Sequence, residues 1–183
     1  MSEASGTRSA VQIDLAISVR RATAADAPAL AALVNRAYAI ETFFVDGDRT
    51  NATEIASLIE KGTFIVLEYA GGLAAAVWVE ATGVKGYFGM LSVLPEMQKH
   101  GLGKRLVRIA EAMCEAAGCD EMTLQIINLR EELGRWYRSL GYQEVGVTPY
   151  EHRPVKQPCH FVEMRKSLRP IATIGLSGPA VAA

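Results

Sequence analysis

The sequence predicts an α/β (α+β) chain built on one mixed sheet of about six or seven strands flanked by about four helices. Three observations predict it. The apolar spacing switches along the chain between short runs that suit strands and three-or-four-residue stripes that suit helices. The elements follow the order strand, two helices, an antiparallel run, then strand, helix, strand, helix, strand, strand, so hairpin and βαβ connections both occur. Half of the 183 residues are hydrophobic and 21% are charged, enough apolar material for a substantial core.

Each element has a local reason. Ile17-Ser18-Val19-Arg20 alternates its faces and reads as a strand. Thr23-Ala24-Ala25-Asp26 has the pattern of a capping box, and Leu30, Leu33, Val34, Ala37 and Tyr38 continue it as a first helix. Glu41 to Arg49 mixes aromatic and acidic residues around Gly47 and reads as a loop. Asn51-Ala52-Thr53-Glu54 forms a second cap, opening a helix marked by Ile55, Leu58 and Ile59 and closed by Gly62 as a C-terminal glycine. Phe64 to Tyr69 and Leu73 to Val79, joined through Gly71-Gly72, form a hairpin. Tyr87 to Val93 is a third strand, ended by Pro95. In Gln98 to Ala117 the residues Leu102, Leu106, Ile109, Met113 and Ala117 define an amphipathic helix. Met122 to Ile127 is strand-like. Leu133, Trp136, Tyr137 and Leu140 give a further helix stopped by Gly141, and Tyr142 to Val147 and Phe161 to Arg165 close the sheet.

Nineteen Lys and Arg nearly balance twenty Asp and Glu, for a formal net charge of -1. No global field draws the chain to nucleic acid or a membrane surface, so any anion site must be local. Cys114, Cys119 and Cys159 are odd in number and form no C-x-x-C pair. They suggest reduced thiols in a cytoplasmic protein, with no disulfide framework and no metal. No apolar run approaches the roughly 20 residues of a membrane span. Met1 to Gln12 lacks the apolar stretch of a signal peptide, and Ile171 to Ala183 is small-residue rich. One domain is expected over 15–169, with mobile tails at 1–14 and 170–183.

The most informative segment is Gln98-Lys99-His100-Gly101-Leu102-Gly103-Lys104-Arg105, between a strand and an amphipathic helix. A helix start offers unpaired N–H groups and a partial positive charge. Lys99, Lys104, Arg105 and Arg108 oppose that dipole, and no acid follows until Glu111. An anion bound at the turn, phosphate foremost, accounts for them. A plain strand-to-helix turn with solvated lysines is the alternative. A dinucleotide fingerprint fails because Leu106 stands where its third glycine belongs, and a Walker A loop fails because a single residue separates Gly101 from Gly103.

Gln-x-x-Gly-x-Gly after a strand holding Leu91-Ser92-Val93, with Trp136-Tyr137 and Leu140-Gly141-Tyr142 further on, resembles the GNAT superfamily of acyl-CoA-dependent N-acyltransferases. The similarity runs from about Ile17 to Leu168. It implies that the amides of Gln98, Lys99, His100, Gly101, Leu102, Gly103 and Lys104 wrap the pyrophosphate of acetyl-CoA. It also implies that the strand with Leu91, Ser92 and Val93 is bulged or splayed and pairs with the pantetheine arm. The amide near Val93 then polarises the thioester carbonyl. Leu91 and Val93 serve equally as sheet core.

Tyr137 matches the family tyrosine that faces the thioester sulfur. A phenol ionises near ~10 and a thiol near ~8.5, so full proton transfer is uphill by about 2 kcal/mol and hydrogen bonding is the safer role. Leu133, Tyr137 and Leu140 also make one helical stripe, so packing alone accounts for Tyr137 as well. Asn128 lies near the position of a family asparagine that contacts pantetheine, but further from the tyrosine; Arg130 stands at the usual place. Asn128-Leu129-Arg130-Glu131 also reads as a capping box, the favoured role for Asn128, with Arg130 a surface charge.

For the general base, Glu41, Asp46 and Glu80 are candidates by analogy with substrate-side loops. His100 belongs with the turn, and His152 and His160 read as ordinary loop or strand residues. The resemblance therefore implies an enzyme that moves an acetyl group from acetyl-CoA to a primary amine by direct attack in a ternary complex, a small-molecule amine being favoured over a protein. Cys114 sits on the amphipathic helix with Met113, which disfavours an acyl-cysteine. Two further readings stand beside the enzyme: a non-catalytic acyl-CoA sensor on the same fold, and a structural domain that pairs through an exposed strand. A homodimer is compatible with all three.

Overall fold

The structure, a computed structural model, describes residues 16–169. The tails expected at 1–14 and 170–183 lie outside the described residues. The described elements are β1 (Ser18–Arg21), α1 (Ala27–Tyr38), α2 (Ala52–Lys61), β2 (Thr63–Tyr69), β3 (Gly72–Thr82), β4 (Lys85–Val93), α3 (Leu102–Ala116), β5 (Glu121–Ile127), α4 (Glu131–Ser139), β6 (Gln143–Pro149) and β7 (His160–Ser167). They form one seven-stranded sheet in the order β1-β2-β3-β4-β5-β7-β6. Every pair is antiparallel except β4 with β5. This is the mixed α/β sheet that the sequence predicts.

The helices cover both faces, and β2 and β3 show how. Along β2, Phe64 and Val66 pack with α1 and α2, whereas Ile65 and Leu67 join the cluster around α3. Along β3, Ala76 and Trp78 face the first cluster and Ala75, Val77 and Val79 the second. Period-two alternation thus lets one strand carry two cores. The Trp78 indole N–H donates to the Leu58 carbonyl at 2.9 Å and ties α2 to the sheet.

The caps predicted at Thr23 and Asn51 form. Thr23 N–H donates to Asp26 Oδ2 at 2.7 Å, and Asn51 Oδ1 accepts from the Glu54 N–H at 3.0 Å. Arg20 makes a two-pronged ion pair with Asp26, each bond 2.8 Å, and its Nε reaches Glu68 at 2.9 Å. These bonds hold the Asp26 carboxyl well below the usual carboxylate range. They join β1, β2 and the entry to α1.

Three local expectations change. The segment after α1 is not all loop, because a 3-10 turn occupies Ala39–Phe43. The amphipathic helix begins at Leu102 rather than in the preceding turn, where Lys99 and Gly101 take φ of +66° and +78° and interrupt helical geometry. Gly62 ends α2, but in extended rather than left-handed geometry, with φ -153°. Its lack of a side chain is needed for space: a Cβ there would stand 2.7 Å from the Val79 carbonyl oxygen and 2.9 Å from the Trp78 ring.

Gly62→Ala should therefore destabilise the chain by about 2 kcal/mol through overpacking. Urea unfolding monitored by Trp78 fluorescence checks this, and an unchanged midpoint would refute the close-approach account.

Candidate active site

The site begins where a strand pair fails. β4 and β5 pair only over Lys85–Tyr87 with Glu121–Thr123. Beyond Tyr87 the two strands diverge, and a wedge opens between Phe88–Val93 and Leu124–Ile127. A bulge in β4 accompanies the divergence: the strand takes three steps from Gly89 to Ser92 while β3 takes two from Trp78 to Ala76. Met90 absorbs the extra residue with φ +49°, and the buried Ser92 hydroxyl donates to the Met90 carbonyl at 3.0 Å.

This arrangement orients Val93. Leu94 N–H donates to the Ala74 carbonyl at 3.0 Å, and Val93 stands opposite Ala75. Antiparallel pairs alternate between bonded and unbonded, so the Val93 N–H points away from β3 and toward the wedge. Gln98 Nε2 donates to the Val93 carbonyl at 3.3 Å from that side, linking the bulged strand to the glycine turn.

A cavity of about 750 Å³ fills the wedge. One end is walled by the turn. α3 starts at Gly101 with no side-chain cap and no acid in its first turn, so its leading amides face outward beside Lys99 and Lys104. An anionic group is the partner that suits these donors. At mid-cavity stands Tyr137, 5% exposed, its ring packed against Phe88, Trp136 and Tyr142 at centroid separations of 6.0, 4.7 and 5.8 Å. Burial pushes its ionisation far above the ordinary tyrosine value. Its hydroxyl has no hydrogen-bond partner among the described residues and remains a neutral donor.

The other end is polar and aromatic. Tyr38, Glu41, Phe44, Arg49, Arg130, Tyr150 and Phe161 line it. Glu41 is 7% exposed and pairs with Arg130 at 3.5 Å. Burial raises its pKa, although Arg49, Arg130 and Arg153 pull it down. Burial likewise pushes Tyr38 up to about 12. The β6–β7 connection holds this wall in place. Arg153 donates to the Asp48 carbonyl at 2.6 Å, Lys156 Nζ to the Thr42 carbonyl at 2.7 Å, and Lys156 N–H to the Phe44 carbonyl at 2.8 Å.

Of the residues singled out from the sequence, Leu91, Val93, Gln98, Lys99, Gly101, Leu102, Gly103, Lys104 and Tyr137 all line the cavity. Ser92 and His100 do not line it; Ser92 closes the bulge and His100 Nδ1 lies 3.3 Å from the Met97 carbonyl. Asn128 caps nothing, which corrects the favoured sequence reading: α4 starts after Arg130, and Asn128 Oδ1 accepts from the His160 N–H at 2.9 Å to join β5 to β7. Arg130 is no surface charge, since its side chain is 15% exposed and pairs with Glu41 and Glu132. Among the candidate bases the cavity takes Glu41; Asp46 is exposed and paired with Lys156, and Glu80 lies on β3 away from the cavity. Cys114 is buried and its thiol is pushed up to about 11 by burial, so it offers no ready nucleophile. Arg49 and Tyr150 were not anticipated. Arg49 had one sequence signal, as the sole cation in an otherwise acidic and aromatic loop; Tyr150 had none.

Residues 60–144, which hold the bulged strand, the turn and Tyr137, match the family model of the acetyltransferase (GNAT) domain. Over that segment the chain resembles the GNAT acetyltransferase family. No curated protein sequence matches it. Among solved structures, it is similar to the ribosomal-protein-S18-alanine N-acetyltransferase of Escherichia coli, with TM-score 0.72 and 18% identity over 91% of this chain and 99% of that one. It is also similar to yncA of Salmonella typhimurium with its cofactor acetyl-CoA, with TM-score 0.67 and 18% identity over 86% and 96%. An N-acetyltransferase from Staphylococcus aureus Mu50 gives TM-score 0.68 and 14% identity over 84% and 99%. At these identities the structures share the GNAT fold. The cavity of this GNAT-like fold suits acetyl-CoA: uncapped amides and lysines suit a pyrophosphate, and the open edge of β4 suits an extended amide-bearing arm.

The buried Glu41 carboxyl has a thermodynamic signature. A carboxyl whose pKa is raised on folding contributes stability below its unfolded value of about 4.3 and loses it as pH rises through the folded value. Glu41→Gln should thus raise Tm at pH 7, and the gain should vanish near pH 4. Thermal melts across that range test this; a lower Tm at pH 7 would mean that the Arg130 pair outweighs burial.

Proposed function

We propose that this chain transfers the acetyl group of acetyl-CoA to a primary amine by direct attack in a ternary complex, and that the acceptor is a small molecule rather than a protein. The observation that carries the proposal is the convergence on one cavity of the Val93 N–H, the Tyr137 hydroxyl and the amides that open α3. The polar groups of the acceptor end lie within the cavity, walled by three separate segments, which supports a small acceptor.

Gly101, Leu102, Gly103 and Lys104 would hold the pyrophosphate, and the exposed edge of Leu91 and Val93 the pantetheine amides. Bound there, acetyl-CoA supplies an activated acetyl group as its thioester. The Val93 N–H stabilises negative charge that develops on the thioester oxygen as the amine nitrogen bonds to the carbonyl carbon. The Tyr137 hydroxyl donates a hydrogen bond to the sulfur as the carbon–sulfur bond breaks. Its raised ionisation makes it a donor that keeps its proton, because handing that proton to a thiolate is more uphill than for an exposed phenol. Glu41 is the group positioned to receive the proton of the attacking amine, directly or through water. The reading includes a cytoplasmic location, supported by the free thiols of Cys114, Cys119 and Cys159, and a homodimer, supported by edge strand β6 with Val145 and Val147 exposed.

Calorimetric titration with acetyl-CoA, against dephospho-CoA and ATP, tests donor binding, and thiol release over an amine panel tests transfer. Binding without turnover on any amine would favour the sensor reading. Gly103→Asp should abolish acetyl-CoA binding by adding a carboxylate among the turn amides; retained affinity would remove the pyrophosphate assignment. Tyr137→Phe should lower kcat about a hundredfold with acetyl-CoA affinity and Tm little changed. A matching loss of stability and activity would make Tyr137 a packing residue.

A further inference from the structure

The acceptor end of the cavity contains more recognition chemistry than a simple amine needs. Among the described residues, two buried side-chain polar atoms lack a hydrogen-bond partner, Arg49 Nε and the Tyr150 hydroxyl. Both belong to residues that line this end. Away from the cavity, buried polar groups are bonded: Ser92 to the Met90 carbonyl, Thr50 to Glu54, and Trp78 to the Leu58 carbonyl. Orphaned buried donors are uncommon in folded proteins, and two at one cavity wall point to a ligand that completes them.

The charges at this wall indicate what kind of ligand. Arg130 is committed to Glu41 and Glu132. Arg49 has no ion pair and no hydrogen bond to any described residue, and its guanidinium is stacked on the Tyr38 ring at 5.2 Å from the centroid. A partly buried guanidinium over an aromatic ring, lining the same cavity as a phenol 9% exposed, suits a carboxylate taken by paired N–H bonds and one O–H bond. Glu41 supplies the opposite charge in the same wall. With two arginines and two glutamates present, a ligand bearing one cation and one anion leaves the local balance unchanged.

We propose that the acceptor is a free amino acid or a close amino-carboxylate relative, its carboxylate held by Arg49 and Tyr150 and its amine directed to Glu41. This rests on the acetyl-transfer reading above and narrows it. Phe44 and Phe161 give the same end apolar walls, so an amino acid with an apolar side chain is the first probe.

The test compares leucine, phenylalanine and β-alanine with their amides and with a short peptide bearing a free N-terminus, using the full chain, acetyl-CoA and thiol release. The acids should show a kcat/KM at least about tenfold above their amides, the scale of one charge-assisted contact. The bias of the chemistry runs the other way, since the amide amines are less basic and more of each is neutral. Arg49→Gln should erase the ratio chiefly through KM of the acid, Arg49→Lys should restore part of it, and Tyr150→Phe should lower it. A parallel arm measures the thermal shift given by each acid and amide with CoA bound, which does not depend on turnover. Equal kcat/KM for acids and amides, or preference for the peptide, overturns the proposal while leaving acetyl transfer intact. Absence of turnover with every amine, together with an acid-specific thermal shift that Arg49→Gln removes, overturns acetyl transfer and retains the carboxylate site. Absence of both overturns both.

Discussion

The architecture depends on how few residues β4 and β5 share. Three paired positions join the half of the sheet built from β1 to β4 to the half built from β5, β6 and β7. A longer ladder would close the wedge and leave nowhere for a ligand; a shorter one would leave the halves to be joined by helices alone. The separation is fixed from both sides. Phe88, Tyr137 and Tyr142 form an aromatic cluster at the base of the wedge, with Tyr142 edge-on to the other two. The Met90 bulge turns β4 away from its parallel neighbour. Backbone groups freed by this divergence need partners. A ligand that itself resembles a strand supplies them at little cost in side-chain specificity, so Leu91 and Val93 can pack as core residues and still present a binding edge.

Most of the fold was legible because it follows from spacing. Helices α1, α3 and α4 announce themselves by apolar stripes, and the Gly71-Gly72 turn by its composition. The caps at Thr23 and Asn51 were readable because a polar residue and an acid three positions on can bond only in a narrow geometry. What escaped was set by tertiary neighbours. Asn128 has cap chemistry, yet β7 offers it a backbone N–H that wins. Gly62 resembles a left-handed stop, yet it is small because the Trp78 ring occupies the space. Met90 takes a conformation usually left to glycine, which no residue pattern announces. In the candidate site, the turn and Tyr137 came from local motifs and the resemblance they support. The acceptor wall as a whole did not, because the Glu41–Arg49 segment, Arg130 and Tyr150 lie far apart along the chain and meet only through folding.

That wall carries an energetic burden. Glu41 is buried against its charge, and Arg49 and Tyr150 have polar atoms without partners. None of this aids folding. Groups arranged in this way are stabilised by what they bind, and the rest of the structure must compensate. The compensation is visible in the Arg20–Asp26–Glu68 cluster, in the Glu111 carboxylate that accepts from Tyr142 at 2.7 Å and Lys166 at 2.9 Å, and in two cores packed on opposite sides of one sheet.

The clasp from the β6–β7 connection onto the segment after α1 has an evolutionary consequence. The donor half of the cavity comes mainly from one stretch of chain, β4 through the start of α3. The end proposed for the acceptor draws, besides Arg130, on two connections that grip each other through Arg153, Lys156 and the Val45–Val155 bridge. Insertions or exchanges in those connections can reshape one half while the other keeps its geometry. The molecule is therefore modular in its chemistry without being modular in its domains. A designer seeking a new acceptor would graft the two connections as a pair, since either one alone would lose the other's grip.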